Sequence, residues 1–197
     1  MTMGSLCRRF EEEFAAWLGR KHAIFCNSGS AANWLMTLAL KCWRSDIRTV
    51  KVPAIGWATT VSPALALRYE LEFLDADPET WGIGPTIIAG RGAVIGVPVL
   101  GVPCARVDGI YLEDACAALG SVWGDKKCGT LGTMASFSFY FAHQLSTIEG
   151  GMVVTDDPQL LDLLRMLRAH GWAADLDPAE EAVWWRDKAH GRWDFDR

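Results

Sequence analysis

Short runs of β-forming, mostly apolar residues recur at 22–26, 49–52, 71–74, 93–97, 109–112, 134–138 and 152–155, and several are separated by stretches of helical periodicity. The first helical stretch is 6–18, where Phe10, Phe14, Trp17 and Leu18 recur among glutamates before Gly19 ends it. Three more follow at 31–40, 59–67 and 159–167, the last with Asp157 to cap it and Pro158 for its first turn. Strands that are apolar almost throughout must be covered on both faces. The alternation therefore predicts an α/β domain: a mainly parallel, seven-stranded sheet with helices on both faces. No fixed-period repeat or low-complexity tract interrupts it.

The chain has 197 residues, half of them hydrophobic, which suits one large core. A net charge of -5 without a Lys/Arg cluster supplies no basic field for nucleic acid or an anionic membrane. The longest apolar runs, 94–102 among them, are broken by glycine and proline and are too short to span a bilayer. Near the N-terminus, Cys7, Arg8 and Arg9 lead directly into Glu11, Glu12 and Glu13, which is no secretory pattern. A cytoplasmic protein is expected, with neither nucleic acid nor membrane as partner. Cysteines 7, 26, 42, 104, 116 and 128 form no CxxC pair and no zinc spacing, so they read as small core residues in a reducing compartment, with no metal. The tail, 173–197, differs from the rest: Trp184, Trp185, Trp193 and Phe195 stand among charged residues. It reads either as a partner-binding or domain-crossing stretch or as a helix packed on its own domain.

In sheets of this class, ligands bind outside the carboxyl ends of the strands, where loops lead into helices with free N–H groups. Four segments fall at such ends. The first strand runs into NSGSAAN, 27–33, a small hydroxyl-bearing turn that is either a plain helix cap or a phosphate cradle. The second leads to PAIGWATT, 53–60, where Trp57 is either a core aromatic or a surface for a planar ring. The fifth ends in LEDAC, 112–116, whose acidic pair is either a cap or a counter-charge for a protonated pyridine nitrogen. The sixth opens FSFYFAHQLSTIEGG, 137–151, with a serine, a basic residue and a closing Glu-Gly-Gly.

The order Ser138-Phe139, His143, Glu149-Gly150-Gly151 resembles the aminotransferase pattern S-F-x-x-x-K-x-x-x-x-x-E-G-G. With NSGSAAN, PAIGWATTV and LEDACAALG in the same order, the chain over 10–172 resembles the DegT or StrS family of pyridoxal-phosphate (PLP) sugar enzymes. The resemblance implies the large domain of PLP fold type I and, as cofactor, PLP or its amine form, pyridoxamine 5′-phosphate (PMP). It implies that Ser30 and Ala31, with Ser138, bind the cofactor phosphate, that Trp57 stacks on the pyridine ring, and that Asp114 pairs with the ring nitrogen. The expected domains are a PLP-binding domain at 1–172 and, at 173–197, the start of a smaller C-terminal domain that the chain otherwise lacks.

Three positions depart from the family pattern. Ala117 stands where many relatives have glutamine, and Pro98 where many show histidine. The largest departure is His143, at the lysine that forms the internal Schiff base in the aminotransferases. Imidazole forms no such stable imine, so the cofactor would be held noncovalently. The sugar 3-dehydratases of the family resemble this chain in using histidine there, and FSFYFAH and TIEGGM look nearest to those acting on 4-keto-6-deoxy nucleotide sugars. Histidine titrates near neutrality and can remove and return a proton, so His143 is the expected catalytic base. The leading reading is a PMP-dependent nucleotide-sugar 3-dehydratase of surface-polysaccharide sugar biosynthesis, working as a homodimer or with a complementary C-terminal half. The competing readings are an aminotransferase-family protein that has lost its lysine, a truncated pseudoenzyme, and one half of a split enzyme that binds cofactor or dimerises.

Overall fold

The computed structural model describes residues 3–83, 92–104 and 107–173. Helix α1, Ser5–Leu18, ends where Gly19 adopts a left-handed conformation (φ 92°) and donates its N–H to the Ala15 carbonyl. Strand β1, His22–Cys26, leads into α2, Gly29–Trp43; β2, Thr49–Pro53, leads into α3, Ala58–Ala66; then come β3, Glu70–Leu74, β4, Ala93–Gly96, and β5, Ile110–Asp114. A small hairpin, β6 at Val122–Trp123 and β7 at Lys126–Lys127, precedes β8, Met134–Ser138, β9, Gly151–Thr155, and α4, Pro158–Arg168.

Seven strands form one sheet in the order β1-β9-β8-β5-β4-β2-β3. From β8 to β3 every pairing is parallel, while β9 runs against both β8 and β1, so six strands point one way and one the other. The expected mainly parallel seven-stranded sheet is the observed one. Its boundaries shift at two places that matter. Strand β5 extends beyond 112 to Asp114, because Glu113 and Asp114 pair in register with Ala135 and Ser136 of β8. Helix α2 begins at Gly29 rather than 31, because the Ser28 side chain accepts the Ala31 N–H and caps it two residues earlier. The β6–β7 hairpin lies outside the seven expected runs, and its two-residue strands carry too little pattern to be legible.

Alternation sorts the strand residues to two faces. Ile24, Val50, Val52, Ile95, Leu112, Met134 and Val153 pack with Met36, Leu40, Ala64, Leu160 and Leu164, which puts α2, α3 and α4 on one face. Ala23, Ala135, Phe137, Met152 and Val154 turn the other way, onto Phe14, Ala15 and Leu18 of α1. Among the described residues, helices thus cover both faces, three against one. Asp157 caps α4 as its sequence suggests, accepting from the Gln159 and Leu160 N–H groups at 2.7 and 3.3 Å. No described helix is long and apolar enough to cross a membrane. Residues 174–197, including Trp184, Trp185, Trp193 and Phe195, lie outside the described residues.

Candidate functional site

The carboxyl ends of β1, β2, β5 and β8 open on one edge of the sheet, and the start of antiparallel β9 lies beside them, Gly151 being paired with both Cys26 and Ser138. The turn from β1 into α2 is wedged into this edge. A Cβ on Gly29 would sit 2.5 Å from the Ser138 Cβ and 2.9 Å from its Oγ, and one on Gly151 would sit 2.1 Å from the Ser28 carbonyl oxygen. Only glycine at both positions lets the α2 start, Ser138 and β9 come this close. The Ala31 N–H is already given to Ser28 Oγ at 3.1 Å, so the donors left by helix geometry are the amides of Gly29 and Ser30. The Ser30 hydroxyl sits beside them, donating to Thr59 Oγ1 at 3.2 Å. The turn, the α2 N-terminus and the Ser138 side chain are thereby brought together at this edge.

The acidic pair is split by strand parity. Glu113 faces the α1 side and is fully buried, accepting from the N–H groups of Gly129, Leu131 and Gly132 at 2.8, 2.7 and 2.7 Å. Arg20 clamps the same loop through its carbonyls, donating to Gly129 and Gly132 at 2.9 and 2.5 Å. Burial raises the Glu113 carboxyl above its usual range despite these bonds. Glu113 is therefore a loop anchor. Asp114 faces the opposite side, towards α2 and α3, and is 4% exposed. Its Oδ2 accepts from Asn33 Nδ2 at 2.8 Å and from Thr60 Oγ1 at 2.5 Å, and its Oδ1 from the Cys116 N–H at 3.3 Å. Burial first, and the Asp114 charge next, push the Cys116 thiol well above its ordinary value, so it stays a neutral thiol beside the carboxylate.

Trp57 precedes α3 and is 74% exposed, so its ring is a free surface at the edge and not part of the core. His143 lies in the loop between β8 and β9, where its N–H bonds the Tyr140 carbonyl at 3.0 Å. It lines an open cleft of about 350 Å³ with Leu100, Ala117, Ala142 and Gln144. The cleft thus joins His143 to the segment that follows Asp114. Leu100 stands in a left-handed conformation (φ 52°, ψ 26°) and is 86% exposed at the cleft wall. Among the described residues no group of His, Cys, Asp and Glu is arranged to hold a metal.

Each of Ser30, Ala31, Trp57, Asp114, Ser138 and His143 falls on this edge or in its loops. Sequence reasoning missed Asn33, Thr60 and Ser136, which converge on Asp114 from α2, α3 and β8. The available signal was an asparagine and a serine inside otherwise apolar core elements.

The model of the DegT/DnrJ/EryC1/StrS aminotransferase family matches residues 1–185. The chain belongs to that family. Among its DegT/DnrJ/EryC1/StrS relatives is GDP-4-keto-6-deoxy-D-mannose 3-dehydratase of Yersinia pseudotuberculosis, 36% identical over 195 residues, covering 89% of this chain and 49% of the relative. GDP-perosamine synthase of Caulobacter vibrioides is 30% identical, with 90% of this chain and 50% of the relative covered. A solved structure of the E. coli GDP-4-keto-6-deoxy-D-mannose 3-dehydratase with bound hydrated PLP superposes with a TM-score of 0.83 at 34% identity, over 89% of this chain and 50% of the other. The chain spans about half the length of the curated relatives it matches.

Proposed function

We propose that this chain carries the cofactor site of a PMP-dependent nucleotide-sugar 3-dehydratase, which removes the C3 hydroxyl of a 4-keto-6-deoxy sugar. The observation that carries the reading is His143: an imidazole in the cleft beside the Asp114 strand end, within a chain similar to dehydratases of that activity. The residues present fit a phosphate-bearing pyridine. Gly29 and Gly151, where a Cβ would strike Ser138 and the Ser28 carbonyl, let the α2 start close onto Ser138 and β9, which gathers the Gly29 and Ser30 amides and the Ser138 hydroxyl as phosphate donors; the Ser30 hydroxyl joins them once it turns from Thr59 Oγ1, and Ala31 serves indirectly, through the Ser28 cap. Trp57 offers a ring face, and Asp114 a buried carboxylate for a protonated ring nitrogen.

The bound cofactor supplies an amine for the sugar C4 ketone and an electron sink in its ring. His143 would take and return the proton at the carbon next to that amine, the transfer that loss of the C3 hydroxyl requires. Asp114 keeps the ring nitrogen protonated so that the sink stays open. Ala117 and Ala142 leave room beside His143, and Leu100 forms an apolar wall.

The partner in this reading is a nucleotide sugar, and assembly is as a homodimer or with a complementary C-terminal half. Residues 1–172 form the cofactor domain, and 173–197 begin the region that follows it. Exposed apolar side chains at Phe141, Leu145 and Ile148, in the loop that carries His143, support an assembly that covers the cleft.

The test is incubation of the chain, alone and with a complementary C-terminal domain, with PMP and a 4-keto-6-deoxy nucleotide sugar, following loss of the C3 oxygen by mass spectrometry. His143→Asn should lower dehydration by at least ~100-fold, the low end for a lost general base, with PMP binding retained. His143→Lys should create a PLP band that borohydride reduces. Dehydration by His143→Asn at the wild-type rate would remove the base assignment.

A further inference from the structure

We propose that Asn33, Ser136 and Thr60 are positioning residues for Asp114, setting the direction in which its carboxylate meets a protonated ring nitrogen. The inference rests on the cofactor reading above and deepens it. All four side chains are nearly inaccessible: Asn33 3%, Thr60 1%, Ser136 0% and Asp114 4% exposed. Polar groups so deep must bond one another, and their order is directional. The Ser136 hydroxyl donates to Asn33 Oδ1 at 2.6 Å, which fixes the amide so that Nδ2 points at Asp114 and donates to it at 2.8 Å. Thr60 donates to the same carboxylate oxygen at 2.5 Å.

Both short bonds therefore fall on Oδ2, while the contacts of Oδ1, 3.3 Å to the Cys116 N–H and 3.5 Å to Ser136 Oγ, are long, and the Cys116 thiol also bonds the carboxylate. Oδ1 is the oxygen with capacity for another short, charge-assisted bond. Two donors from different helices acting on one oxygen also leave the carboxylate a single rotamer. Thr60 gives its N–H to the Trp57 carbonyl at 3.0 Å, so one helix start sets both the exposed ring and the direction of the acid. Mere attachment of the helices to the sheet would be served as well by apolar residues of the same volume. A buried carboxylate needs donors in any case; what aims Asp114 is that both short ones meet the same oxygen and leave the other turned to the ring.

The test uses the full chain and PLP labelled with 15N at the ring nitrogen, read by affinity titration and by the 15N chemical shift at one pH. Thr60→Val and Asn33→Leu keep approximate shape. Each should weaken PLP binding roughly tenfold, the size of one bond to a charged group. Each should also move the ring signal from the pyridinium towards the neutral pyridine position. Thr60→Ser should restore both readouts, which lost packing alone does not predict, and it decides the matter with Thr60→Val if Asn33→Leu fails to fold. Unchanged affinity and ring signal in Thr60→Val, beside a wild type that binds, overturn this inference alone. A wild type that takes up no PLP overturns the cofactor reading and this inference with it.

Discussion

Gly151→Ala tests the closest contact of the candidate site. The added Cβ would lie 2.1 Å from the Ser28 carbonyl oxygen, 2.4 Å from its carbon and 2.8 Å from the Gly29 nitrogen. These are backbone atoms, so no side chain can swing aside. An ordinary contact of ~3.5 Å requires the turn into α2, or the start of β9, to retreat by more than ~1 Å. Overpacking of this kind costs about 1–3 kcal/mol. For a chain of this size each kcal/mol lowers the melting temperature by roughly 2–4 °C, so a drop of about 4–12 °C is expected from the upper part of that range. Because the displaced turn carries the Gly29 and Ser30 amides, PLP affinity should fall as well, by about tenfold for one weakened bond to a charged phosphate. Thermal unfolding followed by tryptophan fluorescence and a PLP titration read the two effects. The control is Gly56→Ala, where the nearest atom is Pro53 Cγ at an ordinary 3.6 Å, and no loss of stability is expected. A Gly151→Ala chain with the wild-type midpoint and wild-type PLP affinity would refute the argument that Glu-Gly-Gly closes onto the phosphate turn.

Ser30→Glu places a carboxylate in the first turn of α2, where the helix dipole favours it, so the urea midpoint should hold while PLP binding is lost to repulsion of the phosphate; unchanged affinity would move the phosphate elsewhere. Arg20→Leu removes the donors to Gly129, Gly132 and Asp156 and should destabilise the chain by about 1.5–3 kcal/mol in urea, the range for bonds to a charged group, because Asp156 is half-exposed and stays solvated. Burial favours the neutral form of Asp156, but the Lys21 N–H and the Arg20 guanidinium outweigh it and hold the carboxyl below its usual value. A lowered folded-state value means stability that is present above the unfolded carboxyl range and lost as pH falls through the folded value. Asp156→Asn should therefore flatten the acid limb of a stability–pH curve below ~pH 4, and an unchanged limb would exclude this pair as a contributor.

The order of strands and helices could be read along the chain because each element carries a local signature: apolar runs for buried strands, a helical stripe in 6–18, Gly19 to stop it, and Asp157 with Pro158 to start α4. The turns could be read too, since Ser-Gly-Ser and Glu-Gly-Gly are short and fixed in composition. What each member of an acidic pair does was another matter. Glu113 and Asp114 are equivalent to any local rule, and only their place in a paired strand sends one to the loop at 129–132 and the other to Asn33, Thr60 and Ser136. Asn33 and Asp114 are separated by 81 positions, and no periodicity encodes a contact between a helix and a strand that far apart. The need for glycine at 151 likewise arises from the Ser28 carbonyl, which chain order leaves far away and sheet pairing brings to van der Waals distance. Local sequence thus determined which elements exist, through backbone propensity and burial pattern. The tertiary fold alone decided which side chains meet, because that depends on strand order and on the face each residue is given.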